Sequence, residues 1–69
     1  MNILVTGASG YIGSHMVHLL AKDHFKLILV DGCVLQKKIN GSVFYQCNLR
    51  DTNRLREIFA THHIDIVLH

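Results

Sequence analysis

Apolar residues in this chain fall into two kinds of pattern, and the alternation between them predicts the fold. Asn2 to Thr6 (NILVT) and Lys26 to Asp31 (KLILVD) are short, continuous apolar runs, the pattern of strands buried on both faces. Ser42 to Cys47 (SVFYQC) and Ile64 to His69 (IDIVLH) predict two more strands. Between the first two runs, from Tyr11 to Lys22, Ile12, Met16, Leu19 and Leu20 recur at helical spacing and predict a helix with a core-facing stripe. A second helix is predicted through DTNRLREIFATHH, with Asp51 as its cap and Leu55, Ile58 and Phe59 as its apolar stripe. The order β-α-β-β-α-β, with strands that do not alternate cleanly, implies a parallel sheet of the α/β class. Gly32 to Gly41 spans only ten residues between two parallel strands, which leaves room for a loop or a single helical turn.

Composition narrows the class without changing this picture. The chain has 69 residues, of which 49% are hydrophobic and 17% charged, as in a folded domain. So small a domain buries only about 60% of its unfolded surface and is marginal on its own. A net charge of +2, with Lys37 and Lys38 the sole adjacent basic pair, is too sparse for a nucleic-acid footprint. No apolar run approaches the roughly 18 residues of a membrane span, and no cationic stretch precedes an apolar core at the N-terminus. The two cysteines, Cys33 and Cys47, make no C-x-x-C pair, and free thiols in a cytoplasmic setting are expected.

The candidate chemistry lies in VTGASGYIGSH, Val5 to His15, where glycines stand at positions 7, 10 and 13 between strand and helix. Gly7 permits the sharp turn, Gly10 lets backbone approach an anion closely, and Gly13 lets the helix pack tightly. The N–H groups of Tyr11 and Ile12 then face that anion from the positive end of the helix. Asp31 closes the second strand about 20 residues on, where a carboxylate can accept both hydroxyls of an adenosine ribose. No arginine follows to receive a 2′-phosphate, so the pattern implies NAD in preference to NADP. The bland reading of Asp31 is a solvated turn residue. Together these features predict a partial Rossmann fold, the N-terminal portion of a doubly wound parallel sheet in order 3-2-1-4, with the glycine turn at its carboxyl edge.

TGASGYIGSH resembles the opening of the extended short-chain dehydrogenase/reductase family, and GYIGSH its sugar-nucleotide epimerase branch. Dehydratase relatives usually carry phenylalanine and asparagine at the positions of Tyr11 and His15. FYQCNLRD (Phe44 to Asp51) is similar to a family stretch reading FYxGDLRD, and IDIVLH to a family strand that runs into a small-residue turn. The resemblance covers nearly the whole chain, as the N-terminal part (1–69) of an NAD-binding domain. It implies that Gly7, Gly10, Tyr11, Ile12 and Gly13 hold a pyrophosphate and Asp31 the ribose, while Asn48 and Leu49 sit beside the adenine. Asn48 stands where the family has an aspartate that accepts from the adenine amino group, Cys47 where it has glycine, and Gly32 where asparagine is usual.

The resemblance further implies NAD and a UDP-sugar as partners, a homodimeric parent, and catalysis by transient oxidation at C4 of the sugar. The catalytic serine or threonine and the Tyr-x-x-x-Lys pair of the family fall beyond the equivalent of His69. Neither Tyr11 nor Tyr45 has a lysine four residues on, so no catalytic residue is assigned within the chain. A dehydratase or reductase of the same family, and an inactive truncated product, remain as alternatives. Six histidines raise a metal reading, but His15 and His18 lack a cysteine or carboxylate at matching spacing and no metal ligand is assigned.

Overall fold

The computed structural model describes residues 1–23, 25–33, 39 and 41–69, with backbone alone at positions 11 and 12. The elements run β1 (Asn2–Thr6), α1 (Tyr11–Ala21), β2 (Lys26–Asp31), β3 (Ser42–Gln46), α2 (Thr52–Thr61) and β4 (Ile66–Leu68). All strand pairs are parallel and the sheet order is β3-β2-β1-β4, which is the 3-2-1-4 arrangement expected of a partial Rossmann fold. Five of the ten residues from Gly32 to Gly41 expected to form a loop or a helical turn, 34–38, lie outside the described residues, as does residue 40.

β1 and β2 occupy the middle of the sheet, and their side chains alternate between two cores. On one face Ile3, Val5, Leu27 and Leu29 pack with Ala8 and with Val17 of α1. On the other, Leu4, Ile28 and Val30 pack with Cys47 and with Ile58 of α2. Each helix therefore covers one face. Burying a large aliphatic side chain stabilises by about 1.5–3 kcal/mol, which explains the absence of polar residues from the centre of both strands.

The inward stripes differ from the expected ones. Val17 is fully buried, while Met16 is 39% and Leu19 66% exposed, so of the expected stripe Leu20 packs on the core and Met16 and Leu19 turn outward. At the start of α1, Gly13 lies against the Gly7 carbonyl, an approach that a Cβ on this face would block. Residues four, seven and eight further on, Val17, Leu20 and Ala21, then face the sheet. In α2, Ile58 and Leu55 face the core, whereas Phe59 is 47% exposed. The inward face of α2 continues at its end through His62, whose Nε2 lies 2.7 Å from the Tyr45 hydroxyl of β3. Arg54 lies over the same tyrosine ring at 5.4 Å.

β4 is shorter than the predicted Ile64–His69 run. Residues before it are held across the base of β1 instead: Asn2 N–H donates to Asp65 Oδ2 at 2.8 Å, Asp65 N–H to the Asn2 carbonyl at 3.0 Å, and Asn2 Nδ2 to the His63 carbonyl at 2.7 Å. Ladder pairing begins only at Ile3↔Ile66. β4 forms one edge of the sheet, with Ile66 and Val67 exposed.

Candidate functional site

The site grows from the turn after β1. Gly7 adopts φ +65°, a left-handed conformation that disfavours any residue with a Cβ. This reverses the chain so that Gly10 N–H donates back to the Gly7 carbonyl at 3.0 Å. Gly10 is the N-cap of α1 and carries no side-chain cap, and Ser14 N–H donates to its carbonyl at 2.8 Å as the first bond of the helix. The N–H groups of Tyr11, Ile12 and Gly13 precede that bond and have no acceptor within the helix. No acidic residue lies in the first turn of α1 to offset the positive end of the helix dipole. Gly13 leaves no room for a side chain against the turn: a Cβ there would lie 2.9 Å from the Gly7 carbonyl carbon.

Asp31, at the end of β2, is joined to this turn. Its Oδ2 accepts the Ser9 N–H at 2.9 Å and its Oδ1 the Cys33 N–H at 2.9 Å. Burial pushes the carboxyl up, but hydrogen bonds from the Ser9 hydroxyl and from the N–H groups of Cys33, Ser9 and Gly32 outweigh it, and the net effect is a lowered pKa. Sequence reasoning missed Ser9. Its signal was its place between Gly7 and Gly10, from which its N–H reaches the end of the neighbouring strand.

Beyond Asp31 the next strand end brings in Asn48 and Leu49. Cys47 N–H donates to the Asp31 carbonyl at 2.8 Å, so β3 follows β2 one residue past its regular ladder. Asn48 and Leu49 are exposed at this carboxyl edge. Asn48 Oδ1 accepts the Arg50 N–H at 2.9 Å, shaping the turn into α2, which Asp51 caps by accepting the Arg54 N–H at 3.1 Å. The glycine turn, Asp31 and the Asn48–Leu49 turn thus line the carboxyl edge in strand order β1, β2, β3. Cys33 is exposed and Cys47 buried, both as free thiols.

Toward β4, a cleft of about 250 Å³ is lined by Val5, Thr6, Gly7, Gly13, Met16, Leu68 and His69. Thr6 Oγ1 lies 2.8 Å from His69 Nδ1 across its floor. Neither residue was singled out from the sequence, since pairing of β1 with β4 is what brings them together. Among the described residues no three His, Cys, Asp or Glu side chains are grouped as a metal site would require. Among them, too, no helix is long and apolar enough to cross a membrane.

Two acids share a pH dependence. The Asn2 N–H holds the Asp65 carboxyl below the ordinary carboxylate value, burial opposes it, and the His63 charge adds to the lowering; His63 Nε2 lies 3.2 Å from Asp65 Oδ1. Asp31 is lowered likewise. A depressed folded-state pKa contributes stability that is complete above the unfolded value of about 4 and lost as pH falls through the folded value. Thermal melts should therefore hold constant from neutrality down to about pH 5 and fall below about pH 4. Asp31→Asn should flatten that fall, and an unchanged acid limb would refute the assignment to Asp31.

Known proteins share this fold. The sequence profile of the NAD dependent epimerase/dehydratase family matches residues 3–69. UDP-glucose 4-epimerase of Halalkalibacterium halodurans is 45% identical over 73 residues, covering all of this chain and 21% of that protein. dTDP-D-glucose 4,6-dehydratase of Dictyostelium discoideum is 40% identical, covering 97% of this chain and 18% of that one. The crystal structure of UDP-glucose-4-epimerase from Stenotrophomonas maltophila, with bound NAD and formylated UDP-arabinopyranose, superposes with a TM-score of 0.84 at 37% identity, over 100% of this chain and 24% of that one. The chain thus spans about a fifth of the length of the curated relatives it matches. With a parallel 3-2-1-4 sheet, a glycine turn at its carboxyl edge and a family profile matched from residue 3 to residue 69, the chain belongs to the NAD dependent epimerase/dehydratase family.

Proposed function

We propose that the chain is the NAD-binding N-terminal segment of an enzyme similar to UDP-glucose 4-epimerase, interconverting UDP-glucose and UDP-galactose by transient oxidation at C4. The observation that supports this reading is the junction of Asp31 with the glycine turn through Ser9, which would join a ribose acceptor to a helix start that receives the pyrophosphate. The residues fit the cofactor. Gly7, Gly10, Tyr11, Ile12 and Gly13 would hold its pyrophosphate, Asp31 its adenosine ribose, and Asn48 and Leu49 its adenine. Bound NAD would supply the hydride acceptor for oxidation at C4. Asp31 is held ionised and would repel a 2′-phosphate, which favours NAD over NADP. The same reading carries a cytoplasmic, homodimeric parent whose second ligand is a UDP-sugar.

The test joins this chain to the remaining four fifths of the Halalkalibacterium halodurans epimerase and titrates the fusion calorimetrically with NAD and NADP. Asp31→Ala should weaken NAD by about tenfold or more, the worth of a charge-assisted hydrogen bond, and narrow the gap to NADP. Unchanged NAD affinity would leave Asp31 a turn residue. A dehydratase reading has the Dictyostelium discoideum similarity in its favour, while Tyr11 and His15 favour the epimerase branch. The chain should retain more activity when transplanted into the epimerase than into that dehydratase, and the reverse order would select the second reading.

A further inference from the structure

On the cofactor reading above, a dinucleotide would run along the carboxyl edge in strand order, its pyrophosphate at the start of α1, its ribose at Asp31 on β2 and its purine beside Asn48, which follows β3 at that edge. What Asn48 can offer a purine is decided by its own turn. The Arg50 N–H is a donor and only oxygen can answer it, so the amide is oriented with Oδ1 toward Arg50, at 2.9 Å. The flipped amide would set N–H against N–H. The other branch of the side chain is therefore Nδ2, with its two N–H donors, on an exposed residue where it meets no acceptor among the described residues. An aspartate in the same turn would give one oxygen to Arg50 and keep a second oxygen as an acceptor. The turn is compatible with either residue, but the polarity left over is reversed.

On this basis we infer that Asn48 presents a hydrogen-bond donor to the base, so that the site takes a dinucleotide whose purine carries an acceptor at position 6 at least as readily as NAD. Adenine carries an amino donor at that position, whereas hypoxanthine carries a carbonyl oxygen. The inference rests on the dinucleotide-binding reading above and makes Asn48 a specificity-determining residue within it.

The experiment measures dissociation constants of NAD and of nicotinamide hypoxanthine dinucleotide for the fusion with the Halalkalibacterium halodurans epimerase and for its Asn48→Asp variant, by titration calorimetry. Both ligands need the same folded state, so their ratio is independent of the folded fraction. The fusion with the native Asn48 should bind the hypoxanthine dinucleotide as well as NAD or better. Asn48→Asp should shift the ratio toward NAD by roughly three- to tenfold, the worth of one hydrogen bond. NAD binding with the same ratio in both proteins, or a native preference for NAD of about threefold or more, would overturn the proposal and leave the cofactor reading standing. Binding of neither dinucleotide to either protein would overturn the cofactor reading and the proposal with it.

Discussion

Gly13→Ala is expected to unfold the turn that carries the site. A methyl group at this position falls on the carbonyl of Gly7, far inside van der Waals contact with the oxygen, 2.9 Å from the carbon and 3.3 Å from Ala8 Cα. All three atoms are backbone, so no side chain can move aside to relieve the clash. α1 would have to shift outward or rotate, and either movement withdraws Val17 from the core it shares with Ile3, Val5, Leu27 and Leu29. Overpacking of this kind costs about 1–3 kcal/mol or more, and a core of this size seldom provides more than ~3–5 kcal/mol in total. Circular dichroism should show most helical signal lost at 25 °C. Gly32→Ala is the control, since a Cβ there has nothing within 4 Å and the backbone is not left-handed. Equal stability of the two variants would mean that α1 can reseat without loss.

Gly7 separates a second kind of constraint from this one. A Cβ on Gly7 would meet nothing within 4 Å, yet its φ of +65° penalises any residue but glycine by about 1–2 kcal/mol. One glycine is required for space and the other for conformation. The interval of three between the glycines does not reveal this difference, because it is consistent with either constraint at each position.

The same distinction explains what the sequence could show of this protein. β1 and β2 are legible because strands covered on both faces must be apolar at their centres, and ILV and LILV are. The rotation of α1 was legible only in part, because its apolar residues lie all around the helix: the stripe of Ile12, Met16, Leu19 and Leu20 includes one inward residue, Leu20, and leaves out Val17 and Ala21. The inward set is fixed by packing on the sheet together with the close approach of Gly13 to Gly7, neither of which the apolar pattern displays. The ends of β4 were obscured for a related reason. Ile64 and Asp65 continue the strand pattern in sequence, but Asp65 is engaged with Asn2 before the ladder begins. In the candidate site, Asp31 stood out as an acid at a strand end. Ser9, which holds it, did not, since it acts through its backbone N–H as well as through its hydroxyl. Asn48 was visible as a change from aspartate, but the orientation of its amide follows from the Arg50 N–H and could be read only from the turn.

These 69 residues, prepared by themselves, are expected to turn over no UDP-sugar, to bind NAD only in the millimolar range, about −4 kcal/mol, and to associate as concentration rises. No turnover is expected because neither Tyr11 nor Tyr45 is followed by lysine at the fourth position, the pair that the family resemblance assigns to proton transfer. The affinity follows from geometry. Pyrophosphate, ribose and purine have their candidate partners at the ends of β1, β2 and β3, so the contacts proposed here address the adenosine half of the dinucleotide. On the β4 side, the cleft beside Thr6 and His69 is bounded by one short strand and opens at its edge. Binding is diluted further by the unfolded fraction, because apparent affinity scales with the population of the competent state. Association follows from the same edge. β4 offers unpaired backbone along one side and carries Ile66 and Val67 at 39% and 49% exposure, and Leu19 of α1 is more exposed still. An apolar, unpaired strand edge is a template for pairing with another chain. Sedimentation velocity should show mass increasing with concentration, and Val67→Lys should suppress the increase without changing the melt, because Val67 contributes little to either core. A concentration-independent monomer that melts cooperatively and binds NAD at micromolar levels would overturn this expectation and would make the segment a self-sufficient cofactor-binding domain.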